Sequence, residues 1–473
     1  MNFVSWPFAA LFLAVMLARL TVGRRKIEPA FVWVLIVASA VFYAWHVPAY
    51  LLLLLTSAVV DFAAARLLAQ SAARDRGRRR AILVTSLAVN LGLLAAFKYG
   101  NFLLTATGDL ASALGLPVNL PVLALVLPIG LSFYTFQSMS YTIDVYRGVL
   151  APAPDFKRFF LFIAFFPQLV AGPIVRASEF LPQLQRPRRL QAGMFLEGCW
   201  LILAGYFLKV VCADNLGLFV NAHWNEAYSP ESNATLALVT ALAFSGQIFA
   251  DFAGYSSIAR GLAYLLGYRL PINFNAPYIA ASLRGFWRRW HITLSTWLRD
   301  YLYLPLGGNR GSRRRTYVNL LAVMVLGGLW HGAAYTFIAW GALHGAALAL
   351  ERWLGFHRDD GRWSFRAVGL VWPVVTQVVV LVAWIFFRSE TITGAFAFAA
   401  NLFTFDFGPP PPGALTAALF LLPLAGLHAW AWMEERRLMA APSRGVRAVL
   451  AGAMICGLLV VPGDTSDFIY FQF

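Results

Sequence analysis

The feature that most constrains this chain is a succession of apolar runs, each about as long as a bilayer-crossing helix. Crossing the hydrocarbon core as helix takes about 20 apolar residues. Such runs lie at about 2–22, 28–47, 48–70, 81–105, 119–141 and 194–213, and again at about 233–255, 316–333, 334–350, 366–388, 413–433 and 448–463. They predict an all-α, polytopic membrane protein of roughly eleven to twelve transmembrane helices. The first run has no convincing small-residue cleavage site, so it is read as a retained helix. Composition agrees: of 473 residues, 60% are hydrophobic and only 13% charged, with a mean hydropathy of +0.66. A soluble protein of this size needs far more charge to cover its surface.

The net charge of +16 raises the question of nucleic acid. That reading fails, because the arginines lie between apolar spans rather than on a soluble domain. Basic clusters fall at Arg24, Arg25 and Lys26, within 74–80, at Arg186, Arg188 and Arg189, within 310–315, at Arg352 and Arg358, and at Arg436, Arg437, Arg444 and Arg447. The loops 106–118, 214–232 and 389–412 carry almost no Lys or Arg. Placing the N-terminus outside puts nearly every basic cluster on the cytoplasmic face, as the positive-inside rule requires.

Two regions do not read as simple spans. Residues 156–190 hold FFLFIAFFPQLVAGPIV, broken by Pro167 and Pro173, and 251–315 mix aromatics, glycines and arginines. Irregular backbone at membrane depth survives only inside protein or beside a water-filled cavity, so both read as re-entrant or interfacial pieces. Cytoplasmic loops with amphipathic helices are the alternative. Pro409 to Pro412 form a stiff spacer. The cysteines Cys199, Cys212 and Cys456 lie in or beside apolar runs with no disulfide or zinc spacing, and read as small buried hydrophobes. No internal repeat of transporter type is visible, and 1–473 reads as a single membrane domain.

An ionisable residue inside a span costs about 2.5–3.5 kcal/mol on insertion scales and so needs a reason. His331 is the clearest case, in VMVLGGLWHGAAYTFIAWG. Gly327, Gly328, Gly332 and the following alanines read as leaving space around its ring. Shielded from water, an imidazole stays neutral and can accept a proton, as a general base must. A histidine that merely hydrogen-bonds between helices explains the same pattern equally well. His291 is the second candidate, in FWRRWHITLSTWLRD, where Trp287, Trp290 and Trp297 alternate with Arg288, Arg289 and Arg299. Such residues can wrap an anionic or polar ligand at an interface, though plain interfacial anchoring accounts for them as well. Asn309 and Trp330, in the neighbouring motifs, complete the candidate substrate-binding set. His344 follows His331 by thirteen residues, and a metal pair is disfavoured, since nothing resembles HExxH. There is no Gly-x-Ser-x-Gly elbow, Walker A loop or Gly-x-Gly-x-x-Gly, which disfavours a serine hydrolase, an ATP-driven pump and a nucleotide oxidoreductase.

Several stretches then read as a set: LPIGLSFYTFQSMSYTIDVYRG (127–148), FFPQLVAGPIVRASEFLPQL (165–184), LKVVCADNLG (208–217), DFAGYSSIARGLAYLLGYRLPINFNAPY (251–278), FWRRWHITLSTWLRDYLYLPLGGNRG (286–311), GGLWHGAAYTFIAWGALHG (327–345) and the tail FIYFQF (468–473). This set resembles the membrane-bound O-acyltransferase family, in the branch of alginate O-acetyltransferase and exopolysaccharide acetylation proteins. The likeness is densest over about 127–345. It implies a helical ring with re-entrant segments around a central funnel. It also implies His331 and His291 as the catalytic pair. Acetyl-CoA is implied as the cytoplasmic acyl donor, with no bound cofactor or metal. A periplasmic or membrane-anchored acetyltransferase is the implied partner, and an extracytoplasmic polysaccharide the indirect acceptor, with the chain in a bacterial inner membrane. Cytoplasmic arginines, among them Arg288, Arg289, Arg310 and Arg313 to Arg315, offer the donor's phosphates an electrostatic entry. Two positions depart from the family pattern: Gly285 where an acidic residue is common, and Ser257 where Asp often stands. D-alanyl transfer to a cell-wall polymer, a non-catalytic transporter and a secretion-complex scaffold are the rival expectations.

Overall fold

A computed structural model describes residues 1–22, 28–116, 120–123, 125–170, 172–185, 191–356, 366–464 and 468–469. Arg24, Arg25, Lys26, Arg186, Arg188, Arg189, His357, Arg358 and the last four residues of the FIYFQF tail lie outside the described residues. All the regular structure among the described residues is helical, with no strand. Six described helices are long and apolar enough to cross a membrane: Tyr50–Gln70, Arg76–Ala113, Ala192–His223, Ala234–Leu265, Val371–Arg388 and Ala414–Glu435. Trp6–Thr21, Ala30–Ala44 and Ile392–Leu402 are shorter apolar helices. The protein is an all-α, multi-pass membrane protein.

Basic clusters stand at helix N-termini, where the helix dipole disfavours them. Side-chain caps offset this. Asp75 accepts from Arg78 N, Ser312 from Arg315 N and Ser443 from Val446 N, starting the helices Arg76–Leu94, Arg313–His331 and Arg444–Val460. All three cysteines are free; Cys212 is buried, but Cys199 and Cys456 lie exposed on apolar helices rather than inside the fold.

The chain divides into two compact units: Met1–Cys199 with Ile258–Pro271, and Trp200–Ser257 with Ile272–Phe473. In the first, the helices Tyr50–Gln70, Arg76–Leu94 and Leu131–Tyr146 converge on Asp61, which is fully buried. Asn90 Nδ2 donates to its Oδ2 at 2.8 Å and Thr142 Oγ1 to its Oδ1 at 3.1 Å. The Ser86 and Ser138 hydroxyls donate as well, and Ser57 donates to Asn90 Oδ1. A carboxylate surrounded by four donors is tolerated at membrane depth because its lone pairs are satisfied.

Among the described residues of the run expected to span at 119–141, helix begins at Leu131. Pro121 and Pro128 cannot donate to a helix upstream, and Gly130 turns the chain at φ +79°, where an added Cβ would stand 2.6 Å from Leu169 O. Residues 156–185 form the short helices Phe156–Ala164, Phe166–Leu169 and Ala177–Gln185. Phe159, Leu161, Phe162, Ile163, Phe165 and Phe166 are fully buried, so this broken backbone is shielded by protein, as membrane depth demands.

In the second unit, the expected irregular stretch from 251 instead begins inside a helix. Ala234–Leu265 runs unbroken for 32 residues. Its small residues permit close contact: a Cβ on Gly254 would lie 2.8 Å from Gly205 O. Beside it, Lys209 Nζ pairs with Asp214 Oδ1 at 2.7 Å and Asp251 Oδ1 at 2.8 Å, all three side chains buried. Residues 272–311 then form short pieces, Pro277–Ile279, Leu283–Trp287, Ile292–Leu298 and the π-turn Arg299–Tyr303.

The helices Arg313–His331 and Tyr335–Trp353 follow as a tight hairpin. A Cβ on Gly328 would lie 2.1 Å from Phe337 O, and one on Gly341 2.3 Å from Met324 O. Gly328 and Gly341 thus serve backbone approach, and Gly332 lies against the Phe337 ring.

Candidate functional site

His331 is the last residue of the Arg313–His331 helix, and Gly332 continues extended, so the helix delivers its final side chain into the second unit's core. His291 precedes the helix Ile292–Leu298 in a left-handed conformation, φ 42° and ψ 54°, rare for a residue with a Cβ. Their rings meet with centroids 6.2 Å apart; His291 is fully buried and His331 retains 4% exposure. Two imidazoles at that separation can address one acyl group from different sides.

The surroundings are aromatic. Trp330 lies 5.0 Å from His331 and 5.9 Å from His291, Trp340 and Phe387 lie 5.1 and 5.2 Å from His331, and Phe252 lies 4.7 Å from His291. Such walls hold water away from the two rings. Trp290 packs against Trp384 at 4.7 Å and Phe274 at 5.0 Å, behind His291.

A third histidine joins this cluster. His344 is fully buried, stacked on Phe286 and set edge-on to Trp340 at 4.8 Å and Trp287 at 5.0 Å. Neither of its ring nitrogens has a hydrogen-bond partner among the described residues. Among those residues, no three His, Cys, Asp or Glu side chains converge as a metal ion would need.

The structure thus brings His291, Trp330 and His331 together, with Trp287 and Trp290 in the next layer. The other candidates stand elsewhere. Arg289 forms a two-pronged pair with Glu435 at 2.7 and 2.8 Å. Arg288 is exposed, and Trp297 is buried against Tyr301 at 5.1 Å. Asn309 is exposed on the turn where Gly307 and Gly308 take φ +105° and +55°. That turn enters the Arg313–His331 helix at its far end. At 1.5 Å per residue, the 19 residues put the arginine-rich end about 28 Å from His331.

Sequence reasoning missed Trp340, Trp384 and Phe387, since single aromatics in apolar runs carry no distinguishing mark. It also missed Lys209, Asp251 and Asp61, although the rule that singled out His331 applies to them equally. The chain's tail returns to this neighbourhood: Ile469 N donates to Asp251 Oδ2 at 2.7 Å, and Phe468 packs on Tyr255 at 4.5 Å and Phe252 at 5.5 Å.

Comparison with known proteins gives a family and relatives. Residues 147–392 match the model of the membrane-bound O-acyltransferase family. The protein named probable alginate O-acetylase AlgI in Pseudomonas aeruginosa is 39% identical over 405 residues, covering 86% of this chain and 75% of that one. A peptidoglycan O-acetyltransferase of Helicobacter pylori is 36% identical over 387 residues, covering 76% and 71%. A teichoic acid D-alanyltransferase of Bacillus subtilis is 29% identical over 254 residues, covering 50% and 63%.

Proposed function

Because the chain belongs to the membrane-bound O-acyltransferase family, we propose that it takes acetyl from acetyl-CoA at the cytoplasmic face of a bacterial inner membrane and passes it outward for O-acetylation of an alginate-like polysaccharide. The observation that carries this reading is the pair of buried imidazoles, His291 and His331, with ring centroids 6.2 Å apart inside an aromatic wall. Relatives named for acetyl transfer share more of this chain, at higher identity, than the one named for D-alanyl transfer, which favours acetyl.

In this reaction His331 takes the proton of the accepting hydroxyl as its oxygen attacks the thioester carbonyl. A C–O bond forms, the C–S bond breaks, and the proton passes to the departing thiolate. A positioned base of this kind supplies about 10²–10⁴ in rate. His291, on the other side, donates to or orients the carbonyl oxygen. Arg288, Arg310 and Arg313 to Arg315 attract the donor's phosphates from the cytoplasm, and the N-terminus lies on the opposite side, in keeping with the positive-inside rule. A separate extracytoplasmic acetyltransferase is the partner that finishes the ester on the polymer.

The test is His331→Ala. With membrane insertion and purification unchanged, acetylated polymer falls by about a hundredfold or more. Acetylation at the parent level in that variant overturns the assignment.

A further inference from the structure

We infer that Asn273 is a positioning residue that holds His291 in its left-handed turn beside His331; this rests on the histidine-pair reading above. A left-handed backbone at a residue with a Cβ persists only where its surroundings over-determine it. Residues 273–275 supply that constraint on both sides of His291. Before it, Asn275 N donates to Arg289 O at 2.9 Å; after it, Ile292 N donates to Asn273 O at 2.9 Å. These backbone bonds need no particular side chain.

The Asn273 side chain adds what the backbone cannot. Its Oδ1 accepts from Thr293 N at 3.3 Å and from Thr293 Oγ1 at 3.0 Å, so it caps the Ile292–Leu298 helix from outside that helix. Its Nδ2 donates to Ser256 Oγ at 3.3 Å, on the long Ala234–Leu265 helix. Asn273 is 1% exposed, so water cannot replace these bonds. One amide therefore ties the start of the His291 helix to the 32-residue helix Ala234–Leu265, and no side chain lacking an acceptor can do so. His291 has no cap of its own for this helix, which makes the Asn273 oxygen the side-chain acceptor at its N-terminus.

The experiment uses the full chain in membranes, with radiolabelled acetyl-CoA as probe and acetyl transfer as readout. It compares Asn273→Ala, Asn273→Asp, Thr293→Val and His331→Ala. Asn273→Ala is expected to lower kcat at least about tenfold while KM for acetyl-CoA stays within about twofold, since misplacement of a reacting group by an ångström costs about 10² in rate. Asn273→Asp keeps an oxygen for Thr293 and recovers most of kcat; Thr293→Val, which removes one donor, falls between. Parent kcat in Asn273→Ala, with His331→Ala inactive, overturns the inference alone. Full transfer by His331→Ala overturns the functional reading instead. If both Asn273 variants fail to accumulate and Thr293→Val keeps parent kcat, Asn273 is structural only and the inference falls.

Discussion

At the scale of the residue, His344 and His331 show how differently one side-chain type behaves within a single cluster. His331 faces His291 at 6.2 Å, whereas His344 is held by three aromatic rings and its nitrogens bond nothing described. A buried polar atom without a partner costs about 1–3 kcal/mol, and replacing it by an apolar group of like shape is neutral or favourable. His344→Phe is therefore expected to leave the thermal midpoint in detergent unchanged or higher and to keep acetyl transfer. Loss of transfer with the midpoint held would show that the ring nitrogens are needed. His331 was legible in the sequence because it breaks an uncharged run, and His291 because it stands in a motif dense in tryptophan and arginine. Asp61 was equally legible, since it is the one acidic residue in the apolar run 48–70. What the sequence could not show is how it is satisfied: the donors Ser86, Asn90, Ser138 and Thr142 come from two other helices.

At the scale of the element, the hairpin Arg313–His331 and Tyr335–Trp353 depends on the closeness of its two backbones. Membrane helices gain little from hydrophobicity against lipid, so small residues at the crossing supply the packing. Gly341→Ala would place a methyl group 2.3 Å from Met324 O and 2.8 Å from Val325 Cα, neither of which can yield. It is expected to lower stability by about 1–3 kcal/mol or more and to reduce transfer by displacing His331. Gly452→Ala is the control, because nothing lies within 4 Å of its added Cβ; it is expected to raise stability by about 0.5–1 kcal/mol. Thermal unfolding of the two purified variants separates these outcomes. The apolar run at 119–141 teaches the complementary lesson. Hydropathy alone extended it upstream, while the prolines that stop the helix before Leu131 were visible and outweighed it.

At the scale of the whole molecule, the second unit holds a buried ionic cluster within its apolar packing. Lys209 sits between Asp214 and Asp251, and Asp251 also accepts the Ile469 amide. Lys209→Met leaves two buried carboxylates without their cation and is expected to cost about 3–5 kcal/mol, seen as a lower thermal midpoint and yield. A midpoint equal to that of the parent would show that the carboxylates are neutral without Lys209. The tail's part in this arrangement carries a consequence for biogenesis. The Asp251 carboxylate and the Ile469 amide are separated by 218 residues, so at about 5–20 residues per second the ribosome delivers the second on the order of 10–45 seconds after the first. Over that interval the Asp251 oxygen has no Ile469 amide to accept from. Closure of this part of the core therefore waits until residue 469 has been synthesised.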